Sequence, residues 1–211
     1  ILQALQYPIF QNANAINGNA PGSRQQITFA FNDAASTFSF LNASGAVAFS
    51  GFEAWQLSEI LAVRRALAHI ETFLNVDFVE VSATTNPDMD LAFAELDDGT
   101  AGYGGWKADT SGSQITAVDS FAVFDRDFDI VTDRYGVVLH EIGHALGLRH
   151  TFDSDLLPDR FDTNKWSLMA YDRHPGSGVA SDAMGVFDML ALQDIWGAAR
   201  YADDDTTYVG S

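Results

Sequence analysis

The chain of 211 residues contains no cysteine, so no disulfide can brace it and no thiol can serve as a nucleophile. Basic residues are scarce: 9 Arg and 2 Lys stand against 23 Asp and 6 Glu, leaving a formal net charge of -18 at pH 7. Such a balance repels nucleic acid and anionic membrane surfaces, and both are excluded as main partners. No run of 18 apolar residues occurs, so no segment reads as a membrane-spanning helix. The N-terminus, Ile1-Leu2-Gln3-Ala4-Leu5-Gln6, has neither the basic region nor the apolar core of a secretory leader, and the chain reads as soluble or already processed. Internal repeats are absent too.

What the chain does have is 47% hydrophobic residues, enough at this length to bury a sizeable core in one domain or two tightly joined subdomains. Its acidity is mostly Asp, which favours loops and caps over helix interiors and also serves as a calcium ligand.

The most informative stretch is Val138-Leu139-His140-Glu141-Ile142-Gly143-His144-Ala145-Leu146-Gly147-Leu148-Arg149-His150. On a helix, His140 and His144 are four residues apart, so both imidazoles can reach one ion, with Glu141 free to act on a water. Gly147 can take the left-handed conformation that ends helices, and the turn lets His150 return as a third ligand. Three neutral imidazoles on a tetrahedral zinc leave a fourth position for water, the mark of a catalytic site. The alternative is an amphipathic helix with histidines at helical spacing; five fixed residues at these spacings arise by chance in roughly one chain of this composition in 10⁵.

At these residues the chain resembles the metzincin metalloproteases, with His-Glu-x-x-His-x-x-Gly-x-x-His followed by a methionine turn. The turn is matched by Ser167-Leu168-Met169-Ala170-Tyr171. Met followed two residues later by Tyr is the serralysin or astacin pattern, and matrixins usually lack that tyrosine. Gly99-Thr100-Ala101-Gly102-Tyr103, Leu139 before His140, and Asp188-Met189-Leu190-Ala191-Leu192-Gln193-Asp194-Ile195-Trp196-Gly197 favour serralysins. Thr151 departs from both patterns: astacins carry Glu after the third His and serralysins commonly Pro.

The resemblance implies a secreted bacterial zinc endopeptidase, monomeric, acting on polypeptides, with a protein inhibitor as a further partner. It implies that Glu141 is the general base and acid and that Met169 floors the metal. It also implies that Tyr171 both ligates zinc at rest and stabilises the oxyanion. Ala101, Gly102, Tyr103 and Gly104 correspond to the edge strand that pairs with substrate, and residues 151 to 166 to a wall of the pocket just after the scissile bond. The Gly-Gly-x-Gly-x-Asp calcium repeats of most serralysins do not occur in the 211 residues, and Tyr201 to Ser211 look like the connector that leads to them. A non-catalytic zinc-binding interaction domain is the rival from another class, and intact Glu141 and Tyr171 argue against it. A non-proteolytic zinc hydrolase is disfavoured by the glycine-rich edge.

Along the chain, residues 1 to 25 read as a surface arm or loops, with Gln26–Phe31 starting the first strand. Asn42-Ala43-Ser44 is formally a glycosylation acceptor and reads as a loop. From Trp55 to Leu74 the residues Leu57, Ile60, Leu61, Leu67, Ile70 and Leu74 recur at three and four, predicting a helix with that face inward. Asp77–Val81, Met89–Leu96 and Gln114–Phe124 read as strands, and Asn86-Pro87 as a turn. Asp125-Arg126-Asp127-Phe128-Asp129 lacks the Gly and Glu an EF-hand needs; it reads as an acidic loop, with a calcium site of another kind as the alternative. His69 and His174 read as structural. Asp188 is placed as the cap of a last helix whose Leu190, Ile195 and Trp196 face inward and which Gly197 ends.

The expected architecture is the α+β metzincin fold: a twisted mixed five-stranded sheet with two long helices over residues 1–147, and a smaller part with one helix over 148–211. The expected ions are zinc and, as the open alternative, calcium.

Overall fold

A computed structural model gives the fold and describes residues 1–11, 24–38, 49–112, 114–132, 135–153, 157–178 and 180–199. Asn42–Ser44, Asp155 and the connector from Tyr201 lie outside the described residues.

The fold is α+β, built on a mixed sheet. Strands β1 (Gln25–Asn32), β3 (Val76–Glu80), β4 (Met89–Glu95), β5 (Gly102–Ser111) and β6 (Gln114–Asp125) lie in the order β3-β1-β4-β6-β5. A short strand not foreseen from the sequence, β2 (Ser50–Glu53), pairs antiparallel with the far end of β4, beyond the stretch that β1 covers. Pairings β1–β3, β1–β4 and β4–β6 are parallel, while β5 runs antiparallel to β6 and is an edge.

The alternation expected of strands divides two cores. Met89, Leu91 and Phe93 of β4 face the main core with Val118, Ala122 and Phe124 of β6, whereas Ala92, Ala94, Phe121 and Val123 face a smaller cluster with Phe38 and Phe49.

Among the described residues the sheet is accompanied by helices α1 (Leu2–Leu5), α2 (Leu57–Glu71), α3 (Tyr135–Ala145) and α4 (Val186–Trp196). Helix α2 corrects the reading of its inward face. Ala62, Val63, Ala66, Leu67 and Ile70 are buried, while Leu57 and Leu61 stand 69% and 53% exposed. The spacing of three and four was real, but leucines on the flank satisfy it without belonging to the stripe that meets the sheet. Trp55 lies outside the helix and packs on Phe31 and Phe93, with ring centroids 4.7 and 4.6 Å away. In α4 the buried stripe is Phe187, Asp188, Ala191, Leu192, Ile195 and Trp196, and Leu190, expected inward, is 47% exposed. Gly197, at φ 84°, ends the helix as expected.

Helix α3 is buried along most of its length and lies under β5 at unusually short range. A Cβ on Gly104 would stand 2.3 Å from the Glu141 carbonyl oxygen and 2.8 Å from the His144 Cβ; one on Gly102 would stand 2.5 Å from the Glu141 Cγ. The glycines of this strand therefore admit the protein's own helix. Gly104→Ala is expected to lower stability by about 1–3 kcal/mol or more, because neither backbone can yield without moving a whole element. Thermal melting checks it, and an unchanged midpoint would mean that β5 moves off the helix freely.

Residues 1–11 close the other side. Tyr7 N–H donates to the Gly147 carbonyl at 3.3 Å, Arg149 N–H to Leu5 at 2.8 Å, and the Arg149 guanidinium to Ala4 and Gln3 at 3.1 and 2.8 Å. The Gln6 amide reaches Ala191 and Asp194 of α4, and Phe10 is fully buried against Gly147.

Candidate active site

Helix α3 presents His140 and His144 one turn apart, and Gly147, at φ 105°, turns the chain so that His150 comes back to them. The His150 Nε2 lies 3.3 Å from that of His140 and 3.1 Å from that of His144.

The tautomers follow from the other ring nitrogens. His140 Nδ1–H donates to the Leu168 carbonyl at 2.9 Å and His144 Nδ1–H to the Leu148 carbonyl at 2.8 Å, while His150 Nδ1 faces the Asp153 carboxylate at 3.5 Å. Each ring thus keeps a lone pair on Nε2, and the lone pairs converge where none can donate to another. Burial lowers the imidazole pKa values, to about 4 for His140 and about 3 for His144, so both rings are neutral ligands at pH 7. Burial lowers that of His150 as well, against the pull of Asp153. A tetrahedral zinc with bonds of about 2.0–2.1 Å spaces its nitrogens about 3.3 Å apart. The observed spacing fits that ion, and no other group of three metal-ligating side chains forms among the described residues.

Glu141 is 7% exposed, and the Gly104 backbone N–H donates to its carboxylate. Burial pushes its pKa up to about 8, with the Gly104 bond acting the other way. A divalent cation at the imidazoles favours the ionised form and returns Glu141 toward a working base.

Met169 is fully buried with its Sδ 3.2 Å from where a Cβ on Gly143 would stand, which puts the thioether against α3. The Tyr171 hydroxyl lies 3.1 Å from the His150 Nε2, although the residue is 68% exposed. Burial of the hydroxyl, then Glu141 and Asp153, raise its pKa, so the phenol is neutral at pH 7.

Ala101 and Gly102 line a cleft of about 550 Å³ that also takes in His140, Glu141 and Tyr171. Tyr103 is not brought to it: the ring packs on Phe49 and Phe121 on the opposite face of β5, as strand alternation dictates. Gly104 meets α3 and Glu141 rather than the cleft lining.

Two residues organise the site without having been singled out for it. Asp188, expected to cap α4, does so from inside the first turn rather than from the position before it, and is fully buried. Its carboxylate accepts from Gly185 N–H at 2.7 Å, Leu168 N–H at 2.6 Å and the Ser167 hydroxyl at 2.5 Å, so it ties the methionine turn to α4. Burial pushes its pKa up to about 6 while those donors pull it down. The signal was there: an acid inside the apolar run Phe187 to Leu192 needs buried donors. Asn164 donates to the Ala170 carbonyl at 2.6 Å and accepts from Ser181 N–H at 3.4 Å, spanning the cleft wall.

Thr151, where the resemblance breaks off, is buried and its hydroxyl donates to Asp162; the next residue, Phe152, stacks on His150 at 4.7 Å. The acidic run near residue 125 serves its own turns: Asp125 accepts from Leu96 and Asp127 N–H, and Asp129 from Val131 and Thr132. His174 accepts from Gly176 N–H, and His69 packs on Phe73.

Three neutral imidazoles around one point, a buried carboxylate beside them and an open cleft define the site of a zinc-dependent peptidase. The family model of the matrixins matches residues 23–175, and the chain belongs to the matrixin family. No curated protein matches it.

Proposed function

We propose that the protein is a secreted, serralysin-like endopeptidase within that family, with the catalytic part divided near Gly147 into the two portions expected from the sequence. The observation that carries the reading is the placing of edge strand β5 alongside the buried Glu141. An extended polypeptide adds to such an edge by main-chain hydrogen bonds, which suits attack within a chain. Tyr171, whose hydroxyl lies 3.1 Å from the His150 Nε2, supports the serralysin-like assignment.

When bound, zinc supplies Lewis acidity at the scissile carbonyl and lowers the pKa of a water toward about 7. Glu141, held by Gly104, takes the proton of the attacking water and delivers it to the leaving amine. The Tyr171 hydroxyl donates to the oxyanion as charge develops. Met169 and the turn tied down by Asp188 keep the His140 ring in place through the Leu168 carbonyl.

The test is digestion of casein with and without a zinc chelator. Internal fragments that vanish with the chelator and return with added zinc are expected. Zinc bound at the three histidines with intact casein would instead mark a non-catalytic interaction domain.

A further inference from the structure

The cleft beside Glu141 has apolar walls and an acidic end. Val137 of α3 and Leu168 and Ala170 of the methionine turn form the walls, Asp182 stands among the lining residues, and no lysine or arginine is among the described residues that line it. The Asp182 Oδ1 accepts from Gly136 N–H at 3.2 Å, which places the carboxylate one helical turn, about 6 Å, along α3 from His140.

Its segment is fixed from both sides. Ser181 N–H is held by Asn164, which is bonded to Ala170, and Asp182 is held by the start of α3. The carboxylate is therefore presented without a loop having to be ordered on binding, so little conformational entropy is lost there. A long side chain whose aliphatic stem lies on apolar walls and whose cationic tip meets a carboxylate suits this cleft. The net charge of -18 adds a long-range attraction for cations and a repulsion of acids.

We propose that Asp182 is a specificity-determining residue that selects arginine or lysine next to the bond that is cut, and that the substrates are cationic polypeptides. This rests on the peptidase reading above.

The experiment uses the zinc-loaded protein and peptide pairs identical except for one residue beside the cut bond, arginine in one and citrulline in the other, placed first after and then before that bond. Mass spectrometry confirms the position of cleavage. At one of the two positions the arginine peptide is expected to have about tenfold higher kcat/KM, the scale of one charge-assisted pair. Asp182→Asn, which keeps an oxygen for Gly136 N–H, should bring that ratio near one. Because each ratio is taken within one preparation, partial misfolding cancels. Equal rates for the two peptides in the parent at both positions, or a ratio untouched by the substitution, overturns the role of Asp182 while leaving the peptidase intact. Cleavage of neither peptide, with zinc bound and casein untouched, overturns the peptidase reading and this inference with it.

Discussion

Glu141→Gln is expected to bind zinc as the parent does and to lose about 10² to 10⁴ in kcat, the usual contribution of a positioned acid and base. Gln matches Glu in shape, and the Gly104 N–H can still donate to its side-chain oxygen, so the strand-over-helix packing survives. What disappears is the ability to take a proton from water and return it to the amine. The direction of the pH dependence follows. Since the ionised carboxylate is the base, kcat/KM of the parent rises with pH through the Glu141 pKa, and the cation's charge places that rise below the value of about 8 that burial, partly offset by the Gly104 bond, produces. Zinc content measured beside steady-state rates checks both halves, and near-normal turnover would remove Glu141 from the chemistry.

Tyr171→Phe should retain zinc, because all three imidazoles remain, and slow turnover by about 10² to 10³, as removal of one oxyanion donor does. The substitution deletes only the hydroxyl that lies 3.1 Å from His150, and the ring keeps its contacts with His150 and Phe152 at 4.9 and 4.8 Å. A loss confined to kcat fits a donor that acts as charge develops; a change in KM alone fits a role in binding. With kcat/KM unchanged, Tyr171 is a packing residue and the serralysin-like assignment loses its main support.

The metal ligands were legible because their relation is local. Spacing along one helix brings His140 and His144 together, and Gly147 offers the turn by which His150 returns, a turn the chain takes at φ 105°. Strands β1, β3, β4 and β6 were legible for the same reason, through alternation and turn residues. Periodicity without a partner surface did less well. It marked Leu57, Leu61 and Leu190 as apolar and periodic, but which stripe meets the core depends on where the sheet lies. The glycines of β5 admit a close neighbour, and that neighbour is α3, more than 30 residues downstream. Asp188 reaches Leu168 across 20 residues, and its role needs the fold to be visible.

The contacts of the first eleven residues bear on when a metal site comes into being. Local structure alone can set His140 and His144 on a helix, but the turn that presents His150 is held by carbonyls of Gln3, Ala4 and Leu5, about 145 positions earlier. Closing a loop of that length is among the slower events of folding, since its entropy is lost before its contacts are gained. Until the two distant segments meet, the turn that carries His150 lacks these hydrogen bonds, so the motif alone leaves the third ligand unbraced. The complete set of three ligands is thus tied to the meeting of two distant segments as well as to the motif, so the site and the closed topology support one another.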